Sequence, residues 1–292
     1  MIKRSLITAL VLLLAYHFIQ PRLSGDYYWN PGQQRANYQR AQQYIHDSRA
    51  DLNVVVGSSM ANELSQEILG PKFAKLTFPA GGSFTGLEII RTTGKKPPVL
   101  FIESNTILRG TDEDLLKDVL SPWRRKLRDA SPIFKEEGRP SQYQLGFANF
   151  WVGRICKGFT KVLHRGSPPA PAQDPSTSAS MLDGVMRANR EHLNRPLSEK
   201  DLTTKVSEMG ELVDEFARAG TKIVLFEMPI DSTLENLGEP AAVRNAMRAR
   251  FPADRYTWLE FESNRSYQTS DGIHLVRAEA DLVTRRIAEF VK

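Results

Sequence analysis

Five short runs that read as buried strands recur along this chain, at residues 54–56, 74–78, 99–102, 222–227 and 256–261. Helix-length segments stand between them. Residues 59–69 place Ala61, Leu64 and Ile68 at helical spacing, and Gly70-Pro71 stops that helix. A helix follows Thr111, with Leu115, Leu116 and Val119 on one face. Residues 201–219 carry Leu202, Val206, Met209, Val213 and Phe216, and Gly220 ends them. A last helix covers residues 278–291. Strands alternating with helices predict an α/β fold, a parallel five-stranded sheet covered on both faces. In such sheets ligands sit beyond the carboxyl ends of the strands. Ser59, residues 103–105 and residues 227–231 all fall at such ends.

A chain of 292 residues with a hydrophobic fraction of 41% supports one large domain, or one with an insertion. The alternation breaks over about 120–200. That stretch holds the Pro- and Ser-rich residues 167–180, which read as a flexible surface loop. It also holds Trp123, Phe134, Tyr143, Phe147, Phe150 and Trp151, so it either covers the site, meets a partner, or packs as helical padding. The net charge is +5 with an isoelectric point near 9.3. The basic residues are scattered, and no nucleic-acid motif accompanies them, so nucleic acid is not an expected partner. The single cysteine, Cys156, excludes an intrachain disulfide and reads as a small buried apolar residue.

At the amino terminus, Lys3 and Arg4 precede an apolar stretch that runs to Ile19. A basic start before an apolar run is the pattern of a secretory signal. Its length is at the low edge for crossing a bilayer. Tyr16-His17-Phe18 is too bulky for a small-x-small cleavage site. The reading is therefore an uncleaved signal anchor over residues 1–22, with a linker and helix over 23–50. The domain over 51–292 would face out of the cytoplasm, because Lys3 and Arg4 stay inside.

The first strand stops at Gly57-Ser58-Ser59 and enters a helix, which presents a serine hydroxyl at the sheet edge. Serine is a weak nucleophile until a histidine takes its proton, and that histidine needs a carboxylate to fix its tautomer. Asp271-Gly272-Ile273-His274 supplies both on a turn before the last helix, with Ile273 free to pack inward. Ser59, Asp271 and His274 are the candidate triad. The oxyanion formed on attack needs donors. The Ser59 N–H, an N–H from Gly81 or Gly82, and the Asn105 amide are the candidates. His17, His46, His164 and His192 have no metal-ligand spacing, so neither metal nor cofactor is expected.

These blocks resemble the SGNH/GDSL hydrolase family, whose blocks are a Gly-Asp-Ser nucleophile, a glycine, a Gly-x-Asn element and a terminal Asp-x-x-His. The resemblance implies a flavodoxin-like three-layer sandwich and ester hydrolysis or acyl transfer. It makes Ser59 the nucleophile, His274 the base and Asp271 its orienter, with Gly81 or Gly82 and Asn105 lining the oxyanion hole. Ser58 stands where the family has Asp, and Glu103 where it has Gly. Gly-Ser-Ser after a strand is similar to the membrane-anchored branch associated with teichoic-acid D-alanylation and alginate O-acetylation. That branch implies an envelope or exported polysaccharide as acceptor, a membrane-bound acyltransferase as partner, and a periplasmic or extracellular site on the inner membrane. The alternative expectation is a non-catalytic accessory subunit of a polysaccharide assembly or secretion complex.

Overall fold

The computed structural model describes residues 2–19, 32–138, 175–262 and 265–291. The chain divides into two compact units. One is Met1–His46 with Lys117–Ala172, and the other is Asp47–Leu116 with Gln173–Lys292.

In the first unit, helices α1 (Ile2–Ile19) and α2 (Gly32–His46) precede the described part of the 117–172 segment. That part holds α7 (Pro122–Ala130) and two single 3-10 turns, Pro132–Phe134 and Glu136–Gly138. The buried Gln42 side chain accepts a hydrogen bond from the Glu136 N–H at 2.7 Å, and Arg128, also buried, pairs with Asp118. Trp123 and Phe134 are solvent-exposed. The other aromatics of the stretch (Tyr143, Phe147, Phe150 and Trp151) lie outside the described residues, as do Cys156 and His164.

The expected transmembrane anchor gains no support. Among the described residues, no helix is long and apolar enough to cross a membrane. The physical reason is length. Helix α1 has 18 residues, about 27 Å at 1.5 Å per residue. Lys3 and Arg4 occupy its first turn, which leaves the apolar part shorter than a hydrocarbon core.

The second unit carries five strands: β1 (Asn53–Gly57), β2 (Phe73–Thr77), β3 (Val99–Glu103), β4 (Lys222–Phe226) and β5 (Thr257–Leu259). They form one sheet in the order β2-β1-β3-β4-β5, every pair parallel. The expected α/β fold with a five-stranded parallel sheet is the fold observed. Its helices are α3 (Ser59–Asn62), α4 (Gln66–Leu69), α5 (Ser83–Thr93), α8 (Pro175–Leu193), α9 (Glu199–Arg218), α10 (Gly238–Arg250) and α11 (Arg277–Glu289). Helix α6 (Glu113–Val119) straddles the division between the units.

Alternation along β1 explains the layers. Val55 joins Phe101, Val224, Leu64, Val283 and Ile287 in one apolar cluster, which α3, α4 and α11 cover. Val56 points to the opposite face, where α5 comes so close that a Cβ on Gly86 would stand 2.8 Å from Val56 Cγ1. Both faces of the sheet are thus dry, and each β1 residue is buried.

Two readings need correction. The helix expected over residues 59–69 is two short helices, because Ser65 turns its hydroxyl to the Ile68 N–H at 3.4 Å and caps a new start. The flexible loop expected through residue 180 ends sooner, since α8 begins at Pro175. Proline at a first helical position costs no hydrogen bond. Residues 167–174 lie outside the described residues.

Candidate active site

The turn that carries Ser59, the candidate nucleophile, is built on glycine and a buried carboxyl. At Gly57 a Cβ would stand 2.5 Å from Glu103 Oε2 and 2.6 Å from Ala61 Cβ, so only glycine fits. Ser58 is fully buried. Its backbone is extended, and its hydroxyl caps α3 by accepting from the Met60 N–H at 3.2 Å. Ser58 therefore shapes the turn, and the half-buried Ser59 opens the helix. At that position the Ser59 N–H has no acceptor within its helix.

Beneath the turn lies Glu103, the last residue of β3. Its Oε2 accepts from the Ser58 N–H at 2.8 Å and the Ala61 N–H at 3.2 Å, and its Oε1 accepts from the Ser58 hydroxyl at 2.7 Å. Burial pushes its carboxyl above the ordinary value, against the pull of these donors and of Arg109. The sequence flagged Glu103 as a departure and left its role open. The parallel pairing of β1 with β3 brings it under the serine turn.

His274 Nε2 lies 2.8 Å from Ser59 Oγ, and His274 Nδ1 lies 2.6 Å from Asp271 Oδ2. The carboxylate requires a donor, so Nδ1 carries the proton and Nε2 accepts from the serine hydroxyl. Asp271 is itself fixed. Its Oδ1 accepts from the N–H of Ile273 at 2.9 Å and of His274 at 2.8 Å. Burial alone would push its carboxyl up, but these bonds and the imidazole outweigh that and hold it below the ordinary value. Gly272 takes φ 93°, which glycine alone adopts without strain. The surrounding loop is pinned from three sides. Asn189 donates to the Asp271 carbonyl at 2.8 Å, the Asp231 N–H to Gly272 O at 2.9 Å, and the Ser270 N–H to His274 O at 2.8 Å. Ile273 packs against the apolar cluster under the sheet, as its spacing suggested.

The oxyanion donors divide unevenly. The Gly81 N–H is spent on Phe78 O at 2.8 Å, within the turn that holds Ala80 at φ 63°. Gly82, the N-cap of α5, is the glycine that remains. There a Cβ would stand 3.0 Å from Thr106 O and 3.3 Å from Arg109 Cβ, so the loop after β2 meets the loop after β3. The Ser83 hydroxyl donates to the Glu103 carbonyl at 2.7 Å, so Gly82 is held at the end of β3, beside the loop that carries Asn105. The Asn105 amide pairs with the Met228 backbone, donating to its carbonyl at 2.9 Å and accepting from its N–H at 2.7 Å. One amide hydrogen of Asn105 is left over. This clasp ties the β3 and β4 loops together, a structural task that the sequence did not reveal.

A cavity of about 260 Å³ is lined in part by Asn105 and by Met60 and Ile273, the sequence neighbours of Ser59 and His274. Two other cavities, of about 570 Å³ and 190 Å³, lie around Glu260, Arg265 and Tyr267.

No protein-family model matches the chain, and no curated protein matches its sequence.

Proposed function

We propose that this chain is a serine acyl-ester enzyme, an esterase or O-acyltransferase of the SGNH/GDSL kind. The observation that carries this reading is the unbroken hydrogen-bonded chain from Ser59 Oγ through His274 to Asp271, with distances of 2.8 and 2.6 Å. Ser59 Oγ attacks the acyl carbonyl carbon while its proton passes to His274 Nε2. The carbonyl oxygen becomes an oxyanion, met by the N–H groups of Ser59 and Gly82 and the spare amide hydrogen of Asn105. As the tetrahedral adduct collapses, the departing alcohol oxygen takes the proton from His274, leaving an acyl-serine. Water or an acceptor hydroxyl then gives its proton to His274 and attacks that ester, and the departing Ser59 oxygen takes the proton back from His274. Asp271 steadies the imidazolium in both halves.

The acceptor we favour is an envelope or exported polysaccharide, served by a membrane-bound acyl donor. The resemblance at Gly57-Ser58-Ser59 and Asp271–His274 and the signal-like start support that choice. Leu6, Ile7, Val11, Leu12 and Phe18 of α1 are 58–65% exposed, as a targeting helix that binds export machinery or lipid would require. A non-catalytic accessory role would leave the triad and its buried support without a use.

The test is hydrolysis of a small aryl ester by the full chain and by Ser59→Ala. Turnover in the wild type alone is the expected result, and equal rates would remove the proposal. For export, an alkaline phosphatase fused to the carboxyl terminus should be active in the envelope; an inactive, cytoplasmic fusion would contradict it.

A further inference from the structure

We infer that the cavity lined by Met60, Asn105 and Ile273 is an acyl-chain pocket served by Ser59, sized for acyl groups of roughly six to ten carbons rather than acetyl, by comparison with a cavity near 150 Å³ that holds benzene. This rests on the serine-ester reading and adds the substrate class to it. The cavity measures about 260 Å³. Its lining includes Asn105, the candidate oxyanion donor, with Met60, the residue after Ser59, and Ile273, the residue before His274. On this reading a chain attached to the acyl carbon at Ser59 enters it past these neighbours.

The lining favours hydrocarbon. Leu108, Leu193, Ile230 and Val243 join Met60 and Ile273 around it. Leu108, Leu193, Ile230 and Ile273 are only half-buried. They form a concave apolar surface that an acyl chain would take out of water. The charged groups are partly neutralised from within, since the Arg244 guanidinium grips both oxygens of Glu227 at 2.6–3.0 Å. Among the described residues, no Phe, Tyr or Trp lines the cavity. Exposed Arg109 and His192 also line it, at its wet side.

The experiment is a series of p-nitrophenyl esters from acetate to decanoate, given to the full-length protein and to Leu108→Trp and Ile230→Trp. These two positions sit on different loops, and thermal unfolding shows which variants are folded. In wild type, kcat/KM should climb with chain length, by about fourfold for each methylene that enters the pocket. In each folded variant the octanoate-to-acetate ratio should drop by about tenfold or more. If acetate is the best substrate and both tryptophans leave the ratio unchanged, the pocket assignment is wrong while the serine-ester reading stands. Should neither variant fold, the wild-type series decides by itself. If no ester is cleaved and a fluorophosphonate leaves Ser59 unmodified, the serine-ester reading fails and this inference falls with it.

Discussion

Glu103 Oε2 accepts the backbone N–H of Ser58 at 2.8 Å, one residue ahead of the candidate nucleophile Ser59 and with no access to water. Removing this carboxyl strands three buried donors at once, the Ser58 N–H, the Ser58 hydroxyl and the Ala61 N–H, and also takes the acceptor from the half-buried Thr106 hydroxyl at 3.5 Å. Glu103→Ala should therefore lower stability by at least about 2 kcal/mol, given about 1–3 kcal/mol for each buried orphan. Glu103→Gln keeps an acceptor oxygen and should lose less. In chemical denaturation the Ala variant should have the lower midpoint; equal midpoints would contradict the support role. In folded protein kcat should suffer more than KM, because the turn carries the proposed nucleophile.

The same carboxyl sets a pH dependence. Burial raises its pKa in the folded state. A folded-state pKa above the unfolded one means the folded protein holds the proton more tightly. Its contribution to stability is therefore greatest below the ordinary carboxylate pKa, falls as pH rises towards the raised value, and is flat beyond it. Melting temperatures of wild type and Glu103→Gln, compared from about pH 4 upward, should diverge over that window. Parallel curves would show that the carboxyl does not titrate there.

The two adjacent serines have different tasks, and substitution separates them. Ser59→Ala should cost several orders of magnitude in kcat, on the order of 10³ or more, with little change in unfolding. Ser58→Ala removes the α3 cap and should cost about 1 kcal/mol of stability, while some turnover remains. Steady-state kinetics with a thermal melt checks both; a reversed pattern would move the nucleophile to Ser58.

Glycine substitutions probe the oxyanion loop. At Gly82 a methyl would press on Thr106 O at 3.0 Å. Gly82→Ala should therefore lower kcat by about tenfold or more, short of the about 10²-fold that losing a whole donor costs. Gly81→Ala meets Phe78 at 3.2 and 3.3 Å and Thr85 Oγ1 at 3.8 Å, and its N–H is already committed, so its effect on kcat should be smaller. A larger loss at Gly81 than at Gly82 would reassign the donor.

Asp271→Asn should keep the turn but offer His274 the wrong partner. A loss of kcat on the order of 10⁴ is the effect of the same change in other triads. The lowered carboxyl of Asp271 also stabilises the fold above its unfolded pKa. That contribution disappears as pH falls through the folded-state value. Acid unfolding of Asp271→Asn should accordingly start from a lower stability at neutral pH and fall less steeply below about pH 4.

What could be read from the chain was what local pattern encodes. The five strands, the Gly57-Ser58-Ser59 turn and the Asp271–His274 turn each announce themselves within a few residues. Partners set by sheet order could not be read. Glu103 lies beneath Ser58 because β3 pairs with β1, a contact 45 residues apart in sequence. Gly81 and Gly82 were equivalent until the turn at Phe78 took one N–H. Helix α5 was missed because its Ser, Thr and Gly86 weaken its propensity, and Gly86 is there to let the helix touch β1.

The most direct test is covalent labelling with a fluorophosphonate, read by intact mass and peptide mapping in wild type, Ser59→Ala and His274→Ala. The account predicts one adduct, on Ser59, in wild type, and none at a comparable rate in either variant. An unlabelled wild type, or labelling of His274→Ala as fast as wild type, would contradict it.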